Sequence, residues 1–135
     1  MLNRTEDAET YQALFQKIRR TFQQRFWDAA NKTVRNGGSC QAANATALCA
    51  GLIPEADRPA AVQCIVANLE KRGWQQTTDA VLHGFLVRAL SEAGRGDVLH
   101  KVYAREDRGS YGFMVRSGLT TLPEAGVPGR APATT

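Results

Sequence analysis

The chain has little of what membrane, secreted and metal-binding proteins depend on. Across 135 residues, no apolar run approaches the roughly 18 to 20 residues that a membrane helix needs. Met1 to Asp7 carries no apolar stretch of the kind found in a signal peptide. The chain as written is therefore expected in the cytoplasm, unless a longer gene carried a leader now missing. There are three cysteines, Cys40, Cys49 and Cys64. An odd number with no close pair in sequence argues against a disulfide framework. No Cys-x-x-Cys pair occurs, and the two histidines, His83 and His100, lie far from the cysteines. A zinc site is not expected, and no other metal or cofactor is implied.

Aromatic residues make up only 7% of the chain, which bears on its charge. The net charge is +4, mostly from arginine. Lys17, Arg19, Arg20 and Arg25 group on one helix, with no aromatic residue interleaved to stack bases. They are read as a solvated face, not a nucleic-acid patch. Neither nucleic acid nor membrane is expected as a partner.

What is present is helical periodicity. Tyr11, Leu14, Phe15, Ile18, Phe22 and Phe26 recur at helical spacing and predict a first amphipathic helix. Glu6, Asp7 and Glu9 near its start suit the helix dipole. The pattern fades near Trp27 and Asp28, and residues 31–39 read as a loop. A second, Ala-rich helix is expected from about Gln41 to Ala50, stopped by Gly51. A third carries Val62, Ile65, Val66 and Leu69 and stops at Gly73. Thr77, Thr78 and Asp79 offer capping oxygens for a fourth, which carries Val81, Leu82, Phe85, Leu86, Ala89 and Leu90 and ends at Gly94. A short fifth follows Asp97.

The end of the chain breaks this rhythm. Tyr111, Phe113 and Val115 alternate with period two, which predicts an extended segment. Ser117 and Gly118 read as a turn, and Leu119 to Leu122 as a second extended segment. This short β-hairpin-like device would present Glu124, an acid isolated from the others. Residues 127–135, rich in Pro, Gly, Ala and Thr, are expected to be a disordered tail. The organisation predicted is one helical unit over 1–126 followed by that tail.

The two segments Ala47 to Gly51 and Ala89 to Gly94 echo each other, at the spacing of stacked helix pairs. An open solenoid and a closed ring of αα-hairpins both use such pairs. The segment ending in Glu124 favours the ring.

At this point the residues resemble a known family. Phe26-Trp27-Asp28, followed by Asn36-Gly37-Gly38-Ser39-Cys40-Gln41 and the Ala-rich run to Leu48, is similar to the α-L-rhamnosidases. Gly51-Leu52-Ile53-Pro54-Glu55 resembles their Gly-Leu-Val-Pro-Glu connection. Arg72-Gly73, Thr77-Thr78 and the segment Phe85 to Arg95 follow in matching order. Tyr111 to Val115 and Gly118 to Glu124 resemble the last motifs of the family. Cys40 stands between residues that are an adjacent Ser-Gln pair in relatives, and no Trp accompanies Glu124.

The resemblance implies an all-α fold: αα-hairpins forming part of an (α/α)6 toroid, of which this chain is the later part. Such a slice would expose apolar faces, leading to self-association or to pairing with a missing N-terminal part. The resemblance also implies hydrolysis of terminal α-L-rhamnosyl bonds with inversion, on a rhamnosyl-containing carbohydrate. Inversion uses a general acid and a general base about 6.5 to 9.5 Å apart. The base position is Glu124; the acid belongs to a part of the ring outside this chain, so the isolated chain is expected to be inactive. The other reading of Glu124 is a solvated acid at the start of a tail. Gln41, Asn44 and Trp74 are candidate substrate-binding residues. For Gln41 and Asn44 a structural hydrogen-bonding role stands beside that reading, and for Trp74 packing does. The alternative function is a non-catalytic helical interaction module.

Overall fold

The computed structural model describes residues 4–35, 40–107 and 110–120. Helix α1 spans Thr5–Arg25, and a two-stranded antiparallel ribbon follows, β1 (Trp27–Asp28) with β2 (Thr33–Val34). Then come α2 (Cys40–Cys49), a 3-10 turn (Glu55–Asp57), α3 (Arg58–Lys71), α4 (Ala80–Glu92), α5 (Gly96–Tyr103) and α6 (Tyr111–Arg116).

The core forms around α2. Its small side chains let neighbours approach closely, and Ala45, Ala47 and Leu48 are buried between α3 on one side and α4 on the other. Helix α3 contributes Ile65, Val66 and Leu69, and α4 contributes Leu86, Ala89 and Leu90. Helix α5 closes against α4 through Val98 and Val102. Ile53 and Trp27 complete the cluster.

The helix boundaries follow from local chemistry. Pro59 in the first turn of α3 pre-sets a helical φ where no N–H partner is needed. The Asp79 side chain accepts from Leu82 N at 2.8 Å and caps α4. Helix α2 stops in a Schellman turn: Gly51 N donates to Leu48 O at 3.1 Å and Leu52 N to Ala47 O at 3.0 Å. That turn needs a left-handed residue, and Gly51 supplies it at φ +66°. Gly94 N to Ser91 O and Arg95 N to Leu90 O end α4 in the same way. The sequence echo thus has a structural counterpart in two helices ended by the same turn.

Two expectations need correction. Residues 111–116 are helical, not extended. Ser110 decides this: its Oγ accepts from Phe113 N at 3.2 Å while donating to the Arg105 and Asp107 carbonyls. Gly112 permits the packing, because a Cβ there would collide with Arg105 O. Ser117 and Gly118 do turn the chain, with Gly118 at φ +65°, but Leu119 and Thr120 after them form no strand; residues 121–135, with Glu124 and the 127–135 tail, lie outside the described residues.

Second, the region after α1 holds an antiparallel ribbon where only a loop was expected. Asp28 makes its turn, with Oδ1 accepting from Ala30 N at 3.0 Å and Asn31 N at 3.1 Å.

The apolar stripe of α1 does not face a core. No residue of α1 is buried, and Tyr11, Leu14 and Ile18 are 69%, 49% and 50% exposed. One side of the helix is partly seated from Phe15, which lies beside Gly51, to its inner end. Phe22 packs on the core, and Gln23 Nε2 donates to Leu52 O at 2.9 Å. Among the described residues, no helix is long and apolar enough to cross a membrane.

Candidate functional site

Side-chain contacts link the first turn of α2 to the segment before α4, and the first turn of α4 through α5 to the start of α6. Gln41 lies in the first turn of α2 and is fully buried. Its amide nitrogen donates to Asn68 Oδ1 at 2.9 Å and to Gln75 O at 3.2 Å. Its amide oxygen accepts from Thr77 N at 2.9 Å. One side chain therefore fixes the segment that leads into α4. Asn44, one turn further on, does the same for the ribbon. Its Oδ1 accepts from Val34 N at 3.0 Å, and its Nδ2 donates to Thr33 Oγ1 and to Cys40 O, both at 2.8 Å.

The start of α4 is joined to α5 and α6 by a chain of polar and aromatic groups. Thr78 is buried and bonded to Gln76 through its hydroxyl. Thr78 Oγ1 lies 3.5 Å from His83 Nδ1, and His83 Nε2 lies 3.0 Å from Tyr103 Oη. Tyr103 meets Tyr111, the first residue of α6, edge to face at 4.7 Å between centroids. Burial holds the His83 imidazole below its usual pKa, since a half-buried ring is harder to charge. Burial, and secondarily Tyr111, pushes the Tyr103 phenol up.

Trp74 lies immediately before Gln75. Its φ of +67° is a left-handed conformation that a non-glycine residue rarely adopts. Trp74 N donates to Leu69 O at 2.7 Å and holds it there. The ring is half-buried, with Lys101 Nζ 4.3 Å from its centroid.

The four candidate site residues are thus placed differently. Gln41 and Asn44 are spent on internal hydrogen bonds and have no exposure. Trp74 keeps part of its ring open. Glu124 lies outside the described residues. The sequence did not single out the Thr78, His83, Tyr103 and Tyr111 array. Its members are separated by two interhelical connections, and only the fold joins them. Among the described residues, no group of three or more His, Cys, Asp or Glu side chains is placed to hold a metal ion.

A pH effect follows from His83. As pH falls below the ordinary imidazole value of 6.5, the unfolded chain takes up a proton before the folded chain does. His83 therefore withdraws stability below that pH and is neutral in effect above it. Thermal melts between pH 7.5 and 5 should show a fall in Tm that His83→Gln flattens. Parallel slopes for the two proteins would show that His83 does not titrate differently on folding.

Comparison with known proteins agrees with this architecture. Residues 1–125 match the bacterial alpha-L-rhamnosidase 6 hairpin glycosidase domain. An alpha-L-rhamnosidase of Streptomyces avermitilis is 30% identical over 119 residues, covering 88% of this chain and 11% of the relative. One of Formosa agariphila is 24% identical over 124 residues, covering 92% and 13%. The fold is shared with the native alpha-L-rhamnosidase of Aspergillus terreus, at a TM-score of 0.77 and 21% identity, covering 86% of this chain and 13% of that one. The S. avermitilis enzyme complexed with L-rhamnose superposes at 0.73 with 28% identity, over 82% and 10%. The chain spans only about a tenth of the length of these proteins.

Proposed function

The chain belongs to the bacterial α-L-rhamnosidase six-hairpin glycosidase family, and from that premise we propose that it supplies the base-bearing part of an inverting α-L-rhamnosidase site. The observation that carries this reading is the extent of the family match. It runs through residue 125 and so includes Glu124, the residue whose surrounding sequence resembles the family's base segment. The geometry adds support. The first turn of α4 is linked through Tyr103 of α5 to the start of α6, and Trp74, His83, Tyr103 and Tyr111 offer partly exposed rings and hydrogen-bonding groups. Such a mixture suits a hydroxylated ring with one apolar face.

In this reading Glu124 takes a proton from the attacking water. A carboxylic acid from another part of the ring protonates the leaving oxygen. The substrate is a rhamnosyl-containing carbohydrate. The isolated chain, holding one half of the pair, does not turn over. The exposed stripe of α1 has the character of a face meant to be covered by preceding helices. The same stripe supports a second reading, a helical interaction module that associates through Tyr11, Leu14 and Ile18.

The test replaces the matching segment of the S. avermitilis enzyme with residues 1–125. An aryl α-L-rhamnoside should be cleaved by the chimaera and not by the isolated chain. A folded chimaera without turnover, together with tight self-association of the isolated chain, would favour the interaction module.

A further inference from the structure

Two of the three cysteines, distant in sequence, meet in the fold. Cys40 opens α2 and Cys64 lies within α3, and their sulfurs are 3.2 Å apart. We propose that Cys40 and Cys64 form a redox modification site, oxidised to a disulfide by low-molecular-weight disulfides and reopened by thiols. The pairing rests on the packing of α2 against α3, and the sulfurs need to close by only about 1 Å to reach bonding distance. Asn44 Nδ2 lies 3.4 Å from Cys40 Sγ and helps to fix that side chain. Both cysteines keep part of their surface exposed, which leaves a small disulfide a route to them. Cys49 is excluded: it lies nine positions along α2, about 13 Å away by helical rise, and its sulfur faces Phe85 O at 3.4 Å.

The step balances. One thiolate attacks a sulfur of the small disulfide; one protein–small-molecule S–S bond forms, the original S–S bond breaks, and a thiol leaves. The second cysteine then attacks the protein sulfur of this mixed disulfide, releasing the second small thiol. The two cysteines lose two electrons and two protons in all, and the small disulfide is reduced to two thiols. Burial and the neighbouring Cys64 push the Cys40 thiol up to about 11. Its thiolate fraction at neutral pH is therefore small, and the exchange should be slow there and accelerate with alkaline pH.

The bond would tie the first turn of α2 to α3. That turn carries Gln41, and Asn44 lies just beyond it. Oxidation would therefore stiffen the part of the molecule where the segments before α4 and after β1 are fastened.

Purified full-length chain, incubated with oxidised glutathione and mapped by peptide mass spectrometry under non-reducing conditions, tests this. The expected product has Cys40 linked to Cys64, a mass lower by about 2 Da and a Tm higher by roughly 5–10 °C. Cys49 should remain available to a thiol reagent. Cys49→Ser should give the same product, while Cys64→Ser should stop at a glutathione adduct on Cys40. Wild-type chain that keeps Cys40 and Cys64 as free thiols or as two separate glutathione adducts at equilibrium would overturn the proposal. So would a map in which Cys49 pairs as often as Cys64. Chain unfolded in urea gives the random-pairing reference for that comparison.

Discussion

Glu124→Gln, placed in the chimaeric rhamnosidase, should lower kcat by about 10²- to 10⁴-fold, the usual contribution of a positioned acid or base. Glutamine keeps the size of the side chain and one oxygen to accept a hydrogen bond. It cannot take up a proton near neutral pH. The water it positions would still reach the sugar, but would have to lose its proton without help as the bond to carbon forms. That difference is felt in the transition state more than in the bound substrate, so KM should change little. An added nucleophile that needs no deprotonation, such as azide, should restore part of the rate. Its product should be the glycosyl azide of inverted configuration. This rescue separates a base from a residue that merely supports the fold, because azide cannot repair a misfolded site. A rate within about threefold of the parent chimaera would remove Glu124 from the chemistry, since general-base loss is not that small.

The parts of this molecule legible in the sequence are those decided by local chemistry. Gly51, Gly73 and Gly94 mark helix ends because each is followed by the turn that glycine permits, and Asp79 marks a helix start because its carboxylate has a backbone N–H to accept. Valine and leucine spacing locates α3 and α4 because their apolar faces are one-sided. The segment 111–116 defeated the same reasoning. Six residues are too few to show a helical period. Aromatic and β-branched residues at alternate positions match the strand template by chance, while the deciding groups are Ser110 and the carbonyls of Arg105 and Asp107. For α1 the periodicity was right, but periodicity reports only that a stripe exists. It does not say what covers the stripe, and here the described residues leave much of it to solvent.

The same limit governs the candidate site. Cys40 meeting Cys64, and His83 meeting Tyr103, depend on how α2, α3, α4 and α5 pack; no spacing along the chain encodes either pair. Gln41 and Asn44 were legible as important polar residues in an apolar helix. Which role they play could be read only from their partners. Each bonds groups on other elements and has none of its surface open.

That placement leads to a prediction about Asn44. Replacing it with leucine should destabilise the isolated chain by roughly 2–4 kcal/mol, the range for losing a buried polar group's satisfied bonds and leaving its partners behind. Leucine branches at the same carbon as asparagine but is bulkier, so no cavity forms and some overpacking adds to the loss. What is lost is the acceptor for Val34 N and the donor to Thr33 Oγ1 and Cys40 O. Those groups are held by the ribbon and by the start of α2, and cannot all turn to water without opening both. The ribbon should loosen first: hydrogen exchange at Val34 should quicken more than exchange within α3, whose core residues Ile65 and Leu69 do not depend on Asn44. Denaturant titration gives the global loss, and exchange gives its location. A residue whose task was to bind sugar would behave in the opposite way. Its replacement by leucine would leave stability unchanged in the absence of sugar, because an unliganded polar group is solvated in the folded and unfolded chain alike. Unchanged stability of Asn44→Leu would therefore return Asn44 to the substrate-binding residues. A loss in the stated range would assign it to the scaffold that holds β2 against α2.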